Sequence, residues 1–150
     1  MMQLAAGTVG ALGFGFVFGL RPKYVPLAAV GGFICWAFYL IGVSVIWTGI
    51  FWPSVLSTAV TALYAEILGR ILKIPATAIY TPAVVPLIPG STLYYTMEAI
   101  VHNEWTEAAH MANLTGQYAL GMAIGMSLVY TVFSMMKKYI KLRNGSREKV

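Results

Sequence analysis

The sequence predicts an all-α membrane protein of five transmembrane helices, the fourth broken by proline and glycine, with the N-terminus outside and the C-terminus cytoplasmic. Three observations predict it. The chain is 59% hydrophobic and 10% charged, with a mean hydropathy of +0.74, whereas soluble domains carry about 25% charged residues. Its 150 residues fall into apolar runs near the length that crosses lipid as a helix, roughly 20 residues. Its Lys and Arg residues, 10 in all, gather at the ends of those runs. The net charge of +5 is therefore read as topology, and no nucleic-acid partner is expected.

The first span runs from about Leu4 to Leu20 and stops at Arg21-Pro22-Lys23. It starts apolar with no basic region ahead of it, so it is expected to stay rather than be cleaved as a signal. The second covers Tyr24 to Trp47, and a short aromatic turn through Trp52-Pro53 leads to the third, Ser54 to Leu72, which closes at Arg70 and Lys73. The fourth is interrupted and extends from Ile74 to Val101. A polar loop from His102 to His110, with Glu104 and Glu107, precedes the fifth span, Asn113 to Met136. Residues 1–136 are thus a five-helix transmembrane domain, and 137–150 a basic cytoplasmic tail that is solvated or lies on the anionic leaflet.

Threading these spans alternately puts every Lys and Arg on one side, and the positive-inside rule makes that side cytoplasmic. A re-entrant fourth segment would put the basic tail outside, so the charges argue for a full crossing. Trp47, Trp52 and Trp105 then make an outer aromatic belt, and Tyr24 and Tyr139 an inner one.

Small residues recur every four positions at Gly7, Ala11, Gly15 and Gly19, and again at Gln117, Gly121 and Gly125. Such stripes let helix backbones approach closely, either inside the bundle or against another subunit. On the third span Ser54, Thr58, Ala62, Glu66 and Arg70 share one face. Glu66 lies about 1.5 turns inside the cytoplasmic boundary, where an acid must be paired or face water. Two roles are open: a structural ion pair with Arg70, or a proton-coupling group in a cytoplasmic vestibule.

The interrupted fourth span carries the strongest signal. Pro82, Pro86 and Pro89 each remove a backbone donor, freeing the carbonyls of Ala78, Pro82 and Val85. Unpaired backbone is tolerated at membrane depth only when buried in protein or lining a polar cavity, and broken helices are where transporters hold substrates and ions. Gly90-Ser91-Thr92 reads as a helix restart with Ser91 or Thr92 as cap, its amides and dipole suited to a carboxylate. Tyr80, Thr81, Tyr94, Tyr95 and Thr96 add hydroxyls. Glu98, near the outer end, is interfacial, and His102 and His110 are solvated. The lone Cys35 can form no intrachain disulfide and supplies no metal cluster. No catalytic motif is present, so an enzyme is not expected, nor a cofactor or a metal.

Pro82-Ala83-Val84-Val85-Pro86-Leu87-Ile88-Pro89-Gly90, followed by Tyr94, resembles the threonine/serine exporter family. The similarity is to its small, C-terminal-half component, found in split two-component systems. The order of elements agrees over nearly the whole chain, from the glycine-rich first span and the Arg-Pro-Lys turn to the basic tail. Ala83 departs from the glycine expected there. The resemblance implies a subunit of a secondary-active exporter of threonine/serine-type amino acids, or of succinate-type dicarboxylates, in a bacterial inner membrane. It also implies a hetero-oligomer with a larger five-span partner, two such units making an inverted repeat around a midplane site. Substrate would then be held by Pro86, Pro89, Gly90, Ser91, Thr92, Tyr94 and Tyr95, with Glu66 and Arg70 as the coupling candidates. Two other readings use the same features: a homo-oligomeric channel whose Pro-Gly breaks line a passive pore, and a structural subunit that docks an active partner.

Overall fold

The computed structural model describes residues 2–46 and 49–147, and among them it is all-helical, with six α-helices and no strand. They are α1 (Met2–Val17), α2 (Val25–Ile46), α3 (Phe51–Leu72), α4 (Ala76–Val84), α5 (Gly90–Val101) and α6 (Trp105–Arg147). Short 3₁₀ turns at Pro22–Tyr24 and Val85–Leu87 lead into α2 and out of α4. Three stretches are long and apolar enough to cross a membrane: Pro22–Val45, Phe51–Leu72 and Trp105–Met136. Met2–Val17 and Ala76–Leu87 are apolar but shorter.

α3 is the central helix, packed against α2, α4 and α6. Its Ser54, Ser57, Thr58 and Thr61 are all fully buried. Small hydroxyl residues let neighbouring helices approach, and each must find an acceptor when buried in an apolar bundle. Ser54 donates to the Ile50 carbonyl at 2.8 Å, Thr58 to Ser54 at 2.6 Å and Thr61 to Ser57 at 2.8 Å. Ser57 instead crosses to α2 and donates to the Cys35 carbonyl at 2.5 Å.

Both glycine stripes are used inside the bundle. Gly7, Ala11 and Gly15 are the buried residues of α1, and they face Trp36, Gly32 and Val25 of α2. A Cβ added at Gly32 would stand 2.9 Å from the Gly7 carbonyl oxygen, so the α1–α2 crossing requires glycine on both sides. Gly19 is not part of that face; it turns the chain after α1 at φ +67. Gly121 lies over Ser54 and Phe51, and Gly125 over Thr58 and Val55. The rising register in both helices means that α3 and α6 run parallel. The face Ser54, Thr58, Ala62 and Glu66 is accordingly buried. Only 11% of the apolar window of α6 is buried, against 39% in α2 and α3, so α6 lies on the rim of the bundle.

Several expectations are corrected. α3 starts at Phe51, with Pro53 in its first turn where a missing N–H costs nothing. The polar loop shrinks to the turn after α5, because α6 is helical from Trp105 and takes in Glu107 and His110. α6 also continues through Met136 without a break as far as Arg147. Its 43 residues make a rod of about 64 Å at 1.5 Å per residue, twice the ~30 Å hydrocarbon core. Gly121 is level with Phe51–Ser54, so Trp105 stands about 24 Å further along α6. Trp52 and Trp105 therefore do not share a belt, and Trp47 lies outside the described residues.

Candidate functional site

The segment from Ile74 to Val101 is broken at one place rather than throughout. Pro82 sits inside α4 and is buried there with Ile79, Tyr80 and Ala83. The tertiary contacts of α4 with α2 and α3 hold it helical despite the lost donor. The break comes at Val85–Leu87, where the helix tightens to 3₁₀ and Ile88 N–H takes the Val85 carbonyl at 3.0 Å. That carbonyl, expected to be free, is satisfied. Pro89 then makes an inverse γ-turn, at φ −78 and ψ 58, with Gly90 N–H on the Ile88 carbonyl at 2.8 Å.

α5 restarts at Gly90 as expected, but neither Ser91 nor Thr92 caps it. Pro89 occupies the cap position with no side-chain bond, and the Thr92 hydroxyl donates backwards to the Pro89 carbonyl at 3.1 Å. Leu93 N–H reaches the same carbonyl at 3.1 Å. The amides of Ser91 and Thr92 are left as the open donors of this helix end.

The seven residues expected around a substrate do not converge on a cavity within the chain. Pro86 packs on α1, its ring 3.4 Å from where a Cβ at Gly10 would stand. Pro89 is half-buried, and Gly90 and Ser91 are exposed. A Cβ at Gly90 would meet nothing within 4 Å. Thr92 accepts a hydrogen bond from Thr115 of α6 at 2.8 Å. Tyr94 and Tyr95 stack edge-to-face on each other and project outward, 65% and 52% exposed. α5 packs mainly on α6. The proline turn and the start of α5 thus form an outward-facing ledge at the end of the bundle.

Glu66 and Arg70 do come together. Glu66 is buried, and Arg70 Nε lies 3.7 Å from its carboxylate, beyond hydrogen-bond range. The Arg70 guanidinium rests 4.6 Å over the Phe133 ring of α6. Both side chains line a cavity of about 510 Å³ with Lys73, Thr77 and Tyr130.

A second cavity, of about 590 Å³, was not foreseen. It brings Arg21 and Tyr24, after α1, against Lys73, Thr77, Ala78, Thr81 and Pro82 of the α3–α4 connection. In the sequence Arg21 and Lys73 stand out only as topological charges; the packing brings them to one groove at one end of the bundle. One signal was legible: the helix before Ile74-Pro75 ends on Lys73 where glycine is usual. Lys73 has φ +54, and its own N–H and that of Ile74 both bond the Gly69 carbonyl.

The family profile described as Threonine/Serine exporter, ThrE, matches residues 3–132. The chain belongs to the threonine/serine exporter family. No curated protein and no solved structure matches it. Membership in this family makes exporter-type transport the class of activity, and, with the long apolar helices, makes this a membrane protein. The matched range contains α1 to α5, both cavities and the glycine contacts between α3 and α6.

Proposed function

We propose that this chain is a subunit of a secondary-active exporter of small carboxylate metabolites in a bacterial inner membrane, and that it forms half of a transport unit. In this reading α1, α2, α3, the α4–α5 pair and α6 are five crossings. The N-terminus is outside, and Arg21, Lys73 and the end of α6 are cytoplasmic. The observation that carries the proposal is the break between α4 and α5. It leaves the amides of Ser91 and Thr92 unbonded at a helix start, beside Gly90 with open space around it. A helix N-terminus favours a carboxylate, and in this family the ligand class to test is threonine- and serine-like. The exposure of Gly90, Ser91, Tyr94 and Tyr95 fits a half-site that a larger five-span partner completes, as in inverted-repeat transporters.

The test is efflux of radiolabelled threonine, serine and succinate from cells carrying the chain, with and without the candidate partner. Gly90→Trp fills the ledge without a clash inside the chain, so it is expected to abolish export while the protein still assembles. Unchanged efflux in that variant sinks the assignment of the ledge. Export by the chain alone after collapse of the proton gradient would instead make it a passive channel.

A further inference from the structure

The cavity between the first turn and the α3–α4 connection has the chemistry of a zwitterion site. It is lined by two cations, Arg21 and Lys73, and by no acidic side chain, while Lys73 and Thr77 also border the neighbouring cavity that holds Glu66. Neither cation forms an ion pair among the described residues, where the one salt bridge joins Arg70 to Glu66. Thr77 and Thr81, both exposed, stand one turn apart on α4 along the same groove, beside the buried Pro82. Threonines 58, 61, 92, 96 and 115 all bond their hydroxyls back to a carbonyl of their own helix or its cap. No such bond joins the exposed Thr77, Thr81, Thr106 or Thr131 to the chain among the described hydrogen bonds, and of these Thr77 and Thr81 line the groove. Ala78 also lines the cavity, and its carbonyl is the one that Pro82, lacking an N–H, cannot bond. A single groove therefore offers two cations, two exposed hydroxyls and a carbonyl that lacks its usual helical donor at Pro82.

Lys73 adds an independent observation. It holds the left-handed conformation at φ +54, ψ 42, where a side chain is strained and glycine is the ordinary occupant. The other non-glycine residue with positive φ among the described residues is Asn103, a residue type that tolerates it. Strain retained at a cavity mouth points to use of the side chain.

We propose that this cavity is the cytoplasmic loading site for a small zwitterionic amino acid. Lys73 and Arg21 take the carboxylate, the Ala78 carbonyl takes the ammonium, and Thr77 and Thr81 meet a side-chain hydroxyl. This rests on the exporter reading above and narrows its substrate class, because a dicarboxylate has no ammonium to offer Ala78. The anion could equally be a lipid headgroup, and the two sources separate experimentally.

The measurement is equilibrium binding of radiolabelled L-threonine to the purified full chain in nanodiscs, one set of phosphatidylcholine and one containing phosphatidylglycerol. L-Serine is expected to compete, whereas threoninol, which lacks the carboxylate, and succinate, which lacks the ammonium, do not. Lys73→Gly removes the ammonium but suits the backbone, so it is expected to melt no lower than the wild type while its Kd rises about tenfold, as for one lost charge-assisted bond. Arg21→Gln, outside that strained turn, is expected to weaken binding likewise. The proposal is overturned by absent threonine binding, by wild-type affinity in Lys73→Gly, by effective competition from succinate, or by phosphatidylglycerol displacing threonine. Export is scored separately: efflux that persists unchanged in Lys73→Gly discards the loading site and leaves the exporter standing, while no efflux from any form discards the exporter reading and leaves binding to judge the cavity.

Discussion

Replacing Gly125 by alanine tests the contact that seats α6 on α3. A Cβ there would overlap Thr58 Oγ1 and stand 2.5 Å from the Val55 carbonyl oxygen and 3.1 Å from Ala59 N. Two of those three atoms are backbone and cannot swing aside, so α6 must lift away from the central helix. Overpacking of this kind costs about 1–3 kcal/mol. Alanine recovers up to ~1 kcal/mol of helix propensity over glycine, leaving a net loss of about 0–2 kcal/mol. Gly116 is the internal control, since it lies in the same helix and a Cβ there would meet nothing within 4 Å. Gly116→Ala keeps only the propensity gain, about 1 kcal/mol. The propensity gain cancels, so the two variants should differ by about 1–3 kcal/mol, or about 2–12 °C at the roughly 2–4 °C per kcal/mol of a chain this size. Cys35 is the only cysteine and is fully buried, so a thiol-reactive fluorogenic maleimide reports unfolding in detergent. A Gly125→Ala protein that melts at or above Gly116→Ala refutes the parallel packing of α3 and α6.

Three further outcomes are expected. Tyr39 and Tyr118 share a hydroxyl–hydroxyl bond of 2.6 Å between α2 and α6; Tyr39→Phe should cost about 1 kcal/mol, and a double-mutant cycle with Tyr118→Phe should show coupling, its absence arguing against the contact. Glu66→Gln should shift melting by less than about 1 kcal/mol, because Arg70 is part-exposed and sits at 3.7 Å, yet it should abolish export driven by a pH gradient; export at the wild-type rate would leave Glu66 a purely structural role. In a Cys35→Ser background, Glu107→Cys should react with an impermeant maleimide in intact cells and Lys138→Cys only after lysis, and the reverse pattern inverts the orientation.

Much of this architecture was legible before any packing was known. The apolar runs from Leu4, Tyr24 and Ser54 correspond to α1, α2 and α3 within a few residues. The restart at Gly90 and the pairing of Glu66 with Arg70 also follow from local order, because helical spacing alone brings positions four apart together. The stripes at Gly7–Gly15 and Gly121–Gly125 were visible as faces, but periodicity names a face and not its partner. Both turned out to be interior contacts.

Composition, charge placement and helical period are properties of the chain order, and they were enough to determine an all-helical chain with long apolar segments and a break near Pro86. Where a helix continues or ends was decided by tertiary contact. Pro82 stays helical because α4 is packed against its neighbours. Trp105 to His110 is helical because α6 continues over polar residues that local pattern assigns to a loop, helix stability coming mostly from packing rather than propensity. The cavity is the clearest case. Arg21 and Lys73 are far apart in the chain, each plausible alone as a topological charge, and only the antiparallel folding of α1, α2, α3 and α4 sets them at one mouth.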